Sequence, residues 1–558
     1  MKYFLLIPIV CYLFDTASAQ SFFPPKKYPS KSFRNPLSTP FEFVGNFGES
    51  RPDHFHSGLD IRTDAKENKS VYAVEDGYVS RVKIEAGGFG NAIYITHASG
   101  YTSLYAHLNK FYPELEDFIR KKQYANKSWN TDMAFFPDKF WVRKGSFIAW
   151  SGNTGSSQGP HLHFEIRNAK TEAPLNPLLF YDEIVDDKKP VIKQIAIYDG
   201  TKSIYEQSPV LYPGIKGKLK KDTIQVNTNK VFLGIQADDF MPMGVGTLGI
   251  YEMRLYADEK PVIAWQLDNI SYDITRYVNA LADYKTRKTK GFWIQLCRKL
   301  PNDRLPVYKS FDMNNGLIDL SDGKPKNIRI EVYDTRYNTS SISFTLTGNQ
   351  NEAQSVCNNE MTAGKINTFR NENISFTLGA DALYDNICFK TSVRNSVRPY
   401  SHVYQVHHSF VPLHSYFDLK LKPKNNIPEA LKNKIAIVKT TKKGTAAKLI
   451  NGQAVAPVNE FGDYEIVIDE KAPAISTKVK EGMNIAKSKA LYFNVKEETT
   501  SVKNCTATVE GQWLRLVQKG STYYYEMDDY FPMGTHQLVI SATDENDNTT
   551  TKTYTLTR

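Results

Sequence analysis

Over much of this chain, apolar residues alternate with polar ones in short runs, the pattern of strands with one face buried and one face wet. After Phe41 such runs occupy Val71 to Val74, Gly77 to Ile84, Ala92 to His97 and Thr102 to His107, with glycines at Gly77, Gly87, Gly88, Gly90 and Gly100 between and beside them. That spacing predicts an antiparallel β-domain. The texture returns beyond Pro190 in Ile192 to Tyr198, Val231 to Ala237, Gly249 to Tyr256 and Ile328 to Val332, the rhythm of β-sandwich strands. Helical spacing stands out at Leu115, Phe118 and Ile119, inside the segment between Leu108 and Trp141. The expected fold class is therefore mainly all-β, with a short helical insertion in the first β-domain. Because the insertion starts just after His107, it is expected near the mouth of any site built there. It would serve as a lid or specificity wall, or as a surface helix without catalytic consequence.

The chain begins with Lys2, the apolar run Tyr3 to Phe14 and Ala17-Ser18-Ala19, the layout of an export signal over residues 1–19. No later stretch approaches the roughly 18 consecutive apolar residues of a membrane span. Residues 20–39, rich in Pro, Lys and Ser, predict an extended lead-in and not a packed element. The texture changes after residue 185 and again at Asp469-Glu-Lys-Ala-Pro473. A weak internal repeat aligns Tyr333–Thr347 with Thr543–Thr557, matching Asp334 with Asp544, Asn338 with Asn548 and Leu346 with Leu556. Both copies look like the turn and last strand of an immunoglobulin-like sandwich. The division expected is a first domain at 40–185, immunoglobulin-like β-domains at 186–348 and 470–558, and a further β-domain at 349–469.

Composition narrows the function. A chain of 558 residues exceeds one hydrophobic core, and 41% hydrophobic content is too apolar for general disorder. The net charge of +10 is spread out, without a Lys/Arg block interleaved with stacking aromatics, so nucleic acid is not an expected partner. A mildly basic exported protein is drawn to anionic surfaces such as a cell wall, although solubility alone accounts equally well for the charge. Cys11 falls in the signal, after Val10 where a lipidation motif wants a small residue. Cys297, Cys357, Cys388 and Cys505 are widely spaced and too few for a disulfide framework. Cys357 and Cys388 are the nearest pair, and a disulfide or four buried thiols both fit.

Histidine carries the chemistry. Of 11 in the chain, His54, His56, His97, His107, His161 and His163 all fall in the first domain. In the strand-like HLHFEIR run, His161, His163 and Glu165 project to one face. His56 and Asp60 are also evenly spaced across a Ser-Gly-Leu bend. Two imidazoles and a carboxylate make a metal site that keeps an open position, as catalytic zinc requires. Neither a helical HExxH nor a GxSxG elbow is present.

HSGLD at His56 to Asp60, SLYAHL at Ser103 to Leu108 and GPHLHFEIR at Gly159 to Arg167, in this order and with matching spacers, resemble the lysostaphin/LytM-type zinc metallopeptidases, the β-lytic group of peptidoglycan endopeptidases. The resemblance covers roughly residues 40 to 180. It implies one zinc ion held by His56, Asp60 and His163, with His107 and His161 as the catalytic pair, and leaves open which of the two is the general base. Glu165 is then an orienter of an imidazole or a solvated strand carboxylate, His54 a loop residue and His97 structural. Gly152, Gly155 and Gly159 are expected to permit tight turns or close backbone approach.

The function implied is hydrolysis of peptide cross-links in peptidoglycan, with its peptide stems as substrate. The β-domains would position the catalytic module or engage a cell-envelope protein, in the periplasm of a Gram-negative bacterium or outside it. The alternative is a non-catalytic wall-binding protein or an activator of other hydrolases. Such a degenerate relative is expected to lack at least one of the five site residues, and all five are present. A rival cluster, His402, His407, His408 and His414, has no paired carboxylates or cysteines nearby and is expected to lie in ordinary strands.

Overall fold

Strand alternation in the first domain becomes one large antiparallel sheet. The computed structural model describes residues 22–24, 26–215, 217–242, 246–348 and 357–558. The export signal and Cys11 lie outside these residues. The elements of the first domain run β1 (Phe43–Gly45), β2 (Leu59–Arg62), β3 (Ser70–Tyr72), β4 (Gly77–Ile84), β5 (Asn91–His97), β6 (Tyr101–Leu108), β7 (Lys110–Phe111), α1 (Pro113–Asn126), β8 (Thr131–Ala134), β9 (Trp141–Val142), β10 (Phe147–Trp150), β11 (His161–Asn168) and β12 (Pro174–Leu175). The sheet has the order β1-β2-β11-β6-β5-β4-β8, with β12 on β11 and β9 on β4, and a small second sheet is ordered β3-β10-β7. Its apolar faces enclose Leu59, Ile61, Val79, Val82, Ile93, Ile95, Tyr105, Leu162, Phe164 and Ile166. Chain order and sheet order differ, and this brings β2 and β11, about 100 residues apart in sequence, side by side toward the β1 edge of the sheet.

The rest of the chain is β-rich, as its texture predicts, and the whole protein is mainly all-β. Two six-stranded sheets occupy residues 191–348, two five-stranded sheets lie within 367–468, and a four- and a five-stranded sheet make up 474–557. Helices Val278–Leu281 and Tyr284–Lys290, which strand alternation does not signal, interrupt the second domain. Asp283 caps the latter by accepting the Thr286 N–H at 2.9 Å. One continuous apolar cluster runs from Ile192 to Ile466, so the second and third β-regions share a core. Residues 475–556 have a core of their own.

Two expectations change, and one choice left open is decided. The lead-in is irregular but packed: Phe22, Phe33 and Leu37 are buried, Lys26 pairs with Asp268, and the Tyr28 hydroxyl donates to Asp268 Oδ2 at 3.0 Å. Local composition could not show this, because Phe33 and Leu37 join the first-domain core while Phe22, Lys26 and Tyr28 find their partners in a later domain. The helical insertion is not a free cover. Tyr124 stacks on Tyr530 with ring centroids 3.4 Å apart and donates to Asp528 at 2.6 Å, while Arg515 donates to Gln123 at 3.3 Å. α1 is thus the seat of the C-terminal domain. Finally, Cys357 and Cys388 form a disulfide, leaving Cys297 and Cys505 as thiols.

Candidate metal centre

Register places the candidate ligands. In the antiparallel pairing of β2 with β11, Asp60 lies directly opposite His163, and opposed residues present their side chains on the same face. His56 comes from the turn before β2. That turn is closed by the His56 N–H donating to the Glu49 carbonyl and by buried Phe47 and Phe55, which belong to the core cluster of the second domain. The result is a triangle of donor atoms. His56 Nε2 lies 3.0 Å from Asp60 Oδ1 and 3.1 Å from His163 Nδ1, and His163 Nδ1 lies 2.9 Å from Asp60 Oδ1. Ligands at about 2.05 Å from one tetrahedral ion stand about 3.3 Å apart. The donor set and its edges therefore fit a metal ion.

Each histidine is held by its outer nitrogen, which fixes the ring and turns the other nitrogen inward. His56 Nδ1 donates to the Asn46 carbonyl at 2.7 Å, and His163 Nε2 to Glu165 Oε1 at 2.9 Å. His161 Nδ1 donates to the Gly159 carbonyl at 2.8 Å, and its Nε2 stands 3.4 Å from Asp60 Oδ1. His107 Nδ1 donates to the Thr154 carbonyl at 2.9 Å. The His107 and His161 rings face each other with centroids 4.8 Å apart. His107 has φ of 59° and sits where the β5–β6 register slips, a bulge that re-aims its side chain toward the metal face. The loop supplying Thr154 depends on Gly155 and Gly90. Both have positive φ, and a Cβ on either would come within 2.5 Å of the other's backbone nitrogen. Gly152 is likewise crowded, by Asn109, whereas Gly159 has open space where its Cβ would stand and needs no glycine on steric grounds.

Charge is organised around the triangle. Burial pushes Asp60 upward, but His56, His161 and His163 outweigh it and hold its carboxyl well below the usual range. Its other oxygen accepts from Arg51 at 3.2 Å. Burial lowers His56, and lowers His107 to about 3 with the neighbouring His163 and His161 adding to the effect. For His163 burial is overcome by hydrogen bonds with Asp60 and Glu165, raising it to about 9; a bound cation would displace that proton. Glu165 is 0% exposed, so it is not a solvated strand carboxylate. Burial acts to raise it, but Arg167 and His163 prevail and bring it to about 2.

Other residues join from distant segments. Arg167 Nε donates to Glu165 Oε2 at 2.7 Å, and Ser57 Oγ to Glu165 Oε1 at 2.5 Å. Arg167 shares the face of His163 and Glu165 by alternation, a signal the sequence does carry. Asn46 exchanges two 2.8 Å hydrogen bonds with the backbone of Gly249, and Thr275 Oγ1 accepts from the Phe55 N–H at 2.9 Å. No local pattern marks these. His54 is exposed and bonded to Asp53, away from the triangle, and His97 is buried between the Asp76 carbonyl and Ser103 Oγ. His402, His407, His408 and His414 belong to none of the metal-competent groups of three among the described residues. A cavity of about 500 Å³ opens behind Thr154, between Asn109, Glu116 and Trp129 of the first domain and Arg515, Tyr524 and Glu526 of the last.

Residues 54–139 match the family described as peptidase family M23, a segment holding His56, Asp60 and His107, and residues 358–469 match a Zu5-like domain. The DD-carboxypeptidase/endopeptidase Mpg of Neisseria meningitidis serogroup B is 36% identical over 124 residues, 22% of each chain. The peptidoglycan DD-endopeptidase ShyB of Vibrio cholerae is 32% identical over 120 residues, 21% of this chain and 22% of that one. The chain thus matches about a fifth of the length of these curated relatives. Among solved structures, a zinc containing peptidase from Vibrio cholerae is 24% identical, covering 28% of this chain and 41% of that one at a TM-score of 0.21. The catalytic domain of lysostaphin from Staphylococcus simulans is 25% identical, covering 25% and 91% at 0.18.

Proposed function

We propose that this chain, which carries a peptidase family M23 domain, is a zinc-dependent endopeptidase that cuts peptide cross-links of bacterial peptidoglycan at the periplasmic or external face of the cell envelope. The observation that carries the reading is the convergence of His56 Nε2, Asp60 Oδ1 and His163 Nδ1 beside two further imidazoles. His56, Asp60 and His163 would hold one zinc ion. When bound, zinc supplies Lewis acidity toward a carbonyl and toward water.

The protein's own residues do the rest. His107 and His161 each keep Nδ1 occupied by a backbone carbonyl, so each presents Nε2 toward the metal face. One neutral imidazole there takes a proton from water, and the other, as a donor, stabilises the oxyanion of the attacked peptide. Glu165 holds the His163 ring from behind. Among the described residues no helix is long and apolar enough to cross a membrane.

The test is mass spectrometry of peptidoglycan incubated with the zinc-loaded protein, beside His161→Ala and His163→Ala variants. Wild type should release cross-link cleavage products and both variants should not. Identical muropeptides from wild type, variants and buffer would exclude hydrolysis and leave wall binding as the role.

A further inference from the structure

Two groups of three carboxylates lie away from the peptidase site, and they are one arrangement built twice. Asp186, Asp239 and Asp334 bring one oxygen each within 4.8 Å of one another, and so do Asp469, Glu497 and Asp544. The members correspond in position. Asp186 and Asp469 lie just ahead of Val191–Asp199 and Ala474–Thr477, in the segments entering a β-domain. Asp239 follows the strand Lys230–Asp238, and Glu497 follows Ala490–Lys496. Asp334 and Asp544 open the turns into Thr339–Gly348 and Thr549–Thr557. In each turn the carboxylate accepts from an asparagine side chain, Asn338 at 2.7 Å or Asn548 at 2.9 Å. The same amide donates to the carbonyl of Asp186 at 2.9 Å or Asp469 at 2.8 Å.

Turn geometry alone would leave these as buried acidic turns. A second observation points to a ligand. Asp239 is 3% exposed and Asp469 is 1% exposed, yet among the described residues Oδ1 of each has no hydrogen-bond partner. Among the described residues none of the six carboxylates makes an ion pair. The cations on neighbouring residues are engaged elsewhere: Arg336 donates to the Tyr181 carbonyl, and Lys434 to the Asn546 carbonyl and Asn548 Oδ1. Three clustered carboxylates, one of them in each group with an orphaned oxygen, demand a counter-charge. The donors are all oxygen, which disfavours zinc and other ions that seek nitrogen or sulfur. Magnesium keeps most of its waters and uses one or two carboxylates, whereas calcium accepts three carboxylates and backbone carbonyls in irregular geometry.

We propose that each group binds one calcium ion, and that the two ions clamp the junctions leading into the second and the C-terminal β-domains. Each ion ties an entering segment to a strand end and to the last turn of the domain it enters. The angle between neighbouring domains is then fixed by calcium. The inference is independent of the peptidase reading, because neither group contacts the zinc triangle.

The experiment is calcium binding by the full zinc-loaded chain, dialysed into calcium-free buffer and titrated with calcium chloride in a calorimeter, with zinc content measured alongside. Wild type should take up two calcium ions, Asp334→Asn and Asp544→Asn one each, and the double variant none, with zinc content unchanged throughout. Asparagine keeps the shape and removes a charge, and melting in calcium-free buffer verifies that the variants fold. No uptake by wild type at millimolar calcium, two ions still bound by the double variant, or uptake of magnesium in place of calcium would each overturn the proposal. A proton shared within each group would show as absent uptake, with the variants melting above wild type in calcium-free buffer.

Discussion

Tyr272, from the second domain, places its hydroxyl 2.5 Å from Glu165 Oε1, the same oxygen that accepts from His163 Nε2. Only two hydrogen bonds separate a β-domain residue from His163 Nε2, the outer nitrogen of the ring whose Nδ1 faces the metal site. Arg167 donates to the Tyr272 hydroxyl at 2.8 Å and stacks 4.7 Å from its ring centroid. Tyr272 as a residue is 41% exposed, so it forms part of the site's rim. Tyr272→Phe should weaken zinc binding by about 10-fold, at the low end for partners behind a metal ligand. Competition against a chromogenic chelator measures it. Unchanged affinity would make Tyr272 a packing residue only.

The five site residues should separate into two classes. His56→Ala, Asp60→Ala and His163→Ala should lose zinc. His107→Ala and His161→Ala should retain it while turnover falls by about 10²- to 10⁴-fold, the range for loss of a proton-transfer group. Metal analysis beside peptide-release rates distinguishes them, and a zinc-free His161→Ala protein would contradict the assignment.

Glu165 and Arg167 form a buried ion pair at 2.7 Å. Removing the carboxylate strands the guanidinium away from water, so Glu165→Gln should destabilise the first domain by about 3–5 kcal/mol. Urea unfolding followed by first-domain fluorescence reports this. A loss under about 1 kcal/mol, typical of an exposed pair, would mean that Arg167 finds water or another partner.

The insertion helix should matter for docking. Tyr124→Ala removes the stack on Tyr530 and the hydrogen bond to Asp528. It should free the C-terminal domain, seen as a larger radius of gyration in X-ray scattering and faster proteolysis after Asp469. An unchanged scattering curve would show that the remaining contacts suffice.

His407 should make the third β-region acid-sensitive. Burial, with His408 and Lys390 adding, lowers its imidazole to about 3. Nδ1 accepts the Lys390 N–H at 3.2 Å, and among the described residues Nε2 has no partner. The folded-state pKa lies below the unfolded value of about 6.5. The neutral ring's contribution is thus complete above that pH and drains as pH falls toward 3, by up to about 1.4 kcal/mol per unit. His407→Asn keeps an acceptor and suits the φ of 55°. Its urea midpoint should fall less than that of wild type between pH 7 and 4.5. Parallel curves would remove His407 as the cause.

The strands carrying the site were legible because period-two alternation is local. Gly77 to Ile84 emerges with the expected bounds, and Ala92 to His97 and Thr102 to His107 within a residue at each end. His161, His163 and Glu165 share a face for the same reason. Their meeting with His56 and Asp60 was legible only through motifs, since pairing of β2 with β11 is a long-range register.

What the sequence by itself determined is the β-rich texture, the donor types and which of them share a strand face, because side-chain direction along a strand depends only on residue spacing. What only the tertiary structure decided is which nitrogen each histidine turns inward, and that the second domain grips the ligand loop through Asn46, Thr275 and Tyr272. It also decided that α1 docks the C-terminal domain. The domain contacts join residues 107 to 404 positions apart, and their approach is set by packing and sheet order, which no local period encodes.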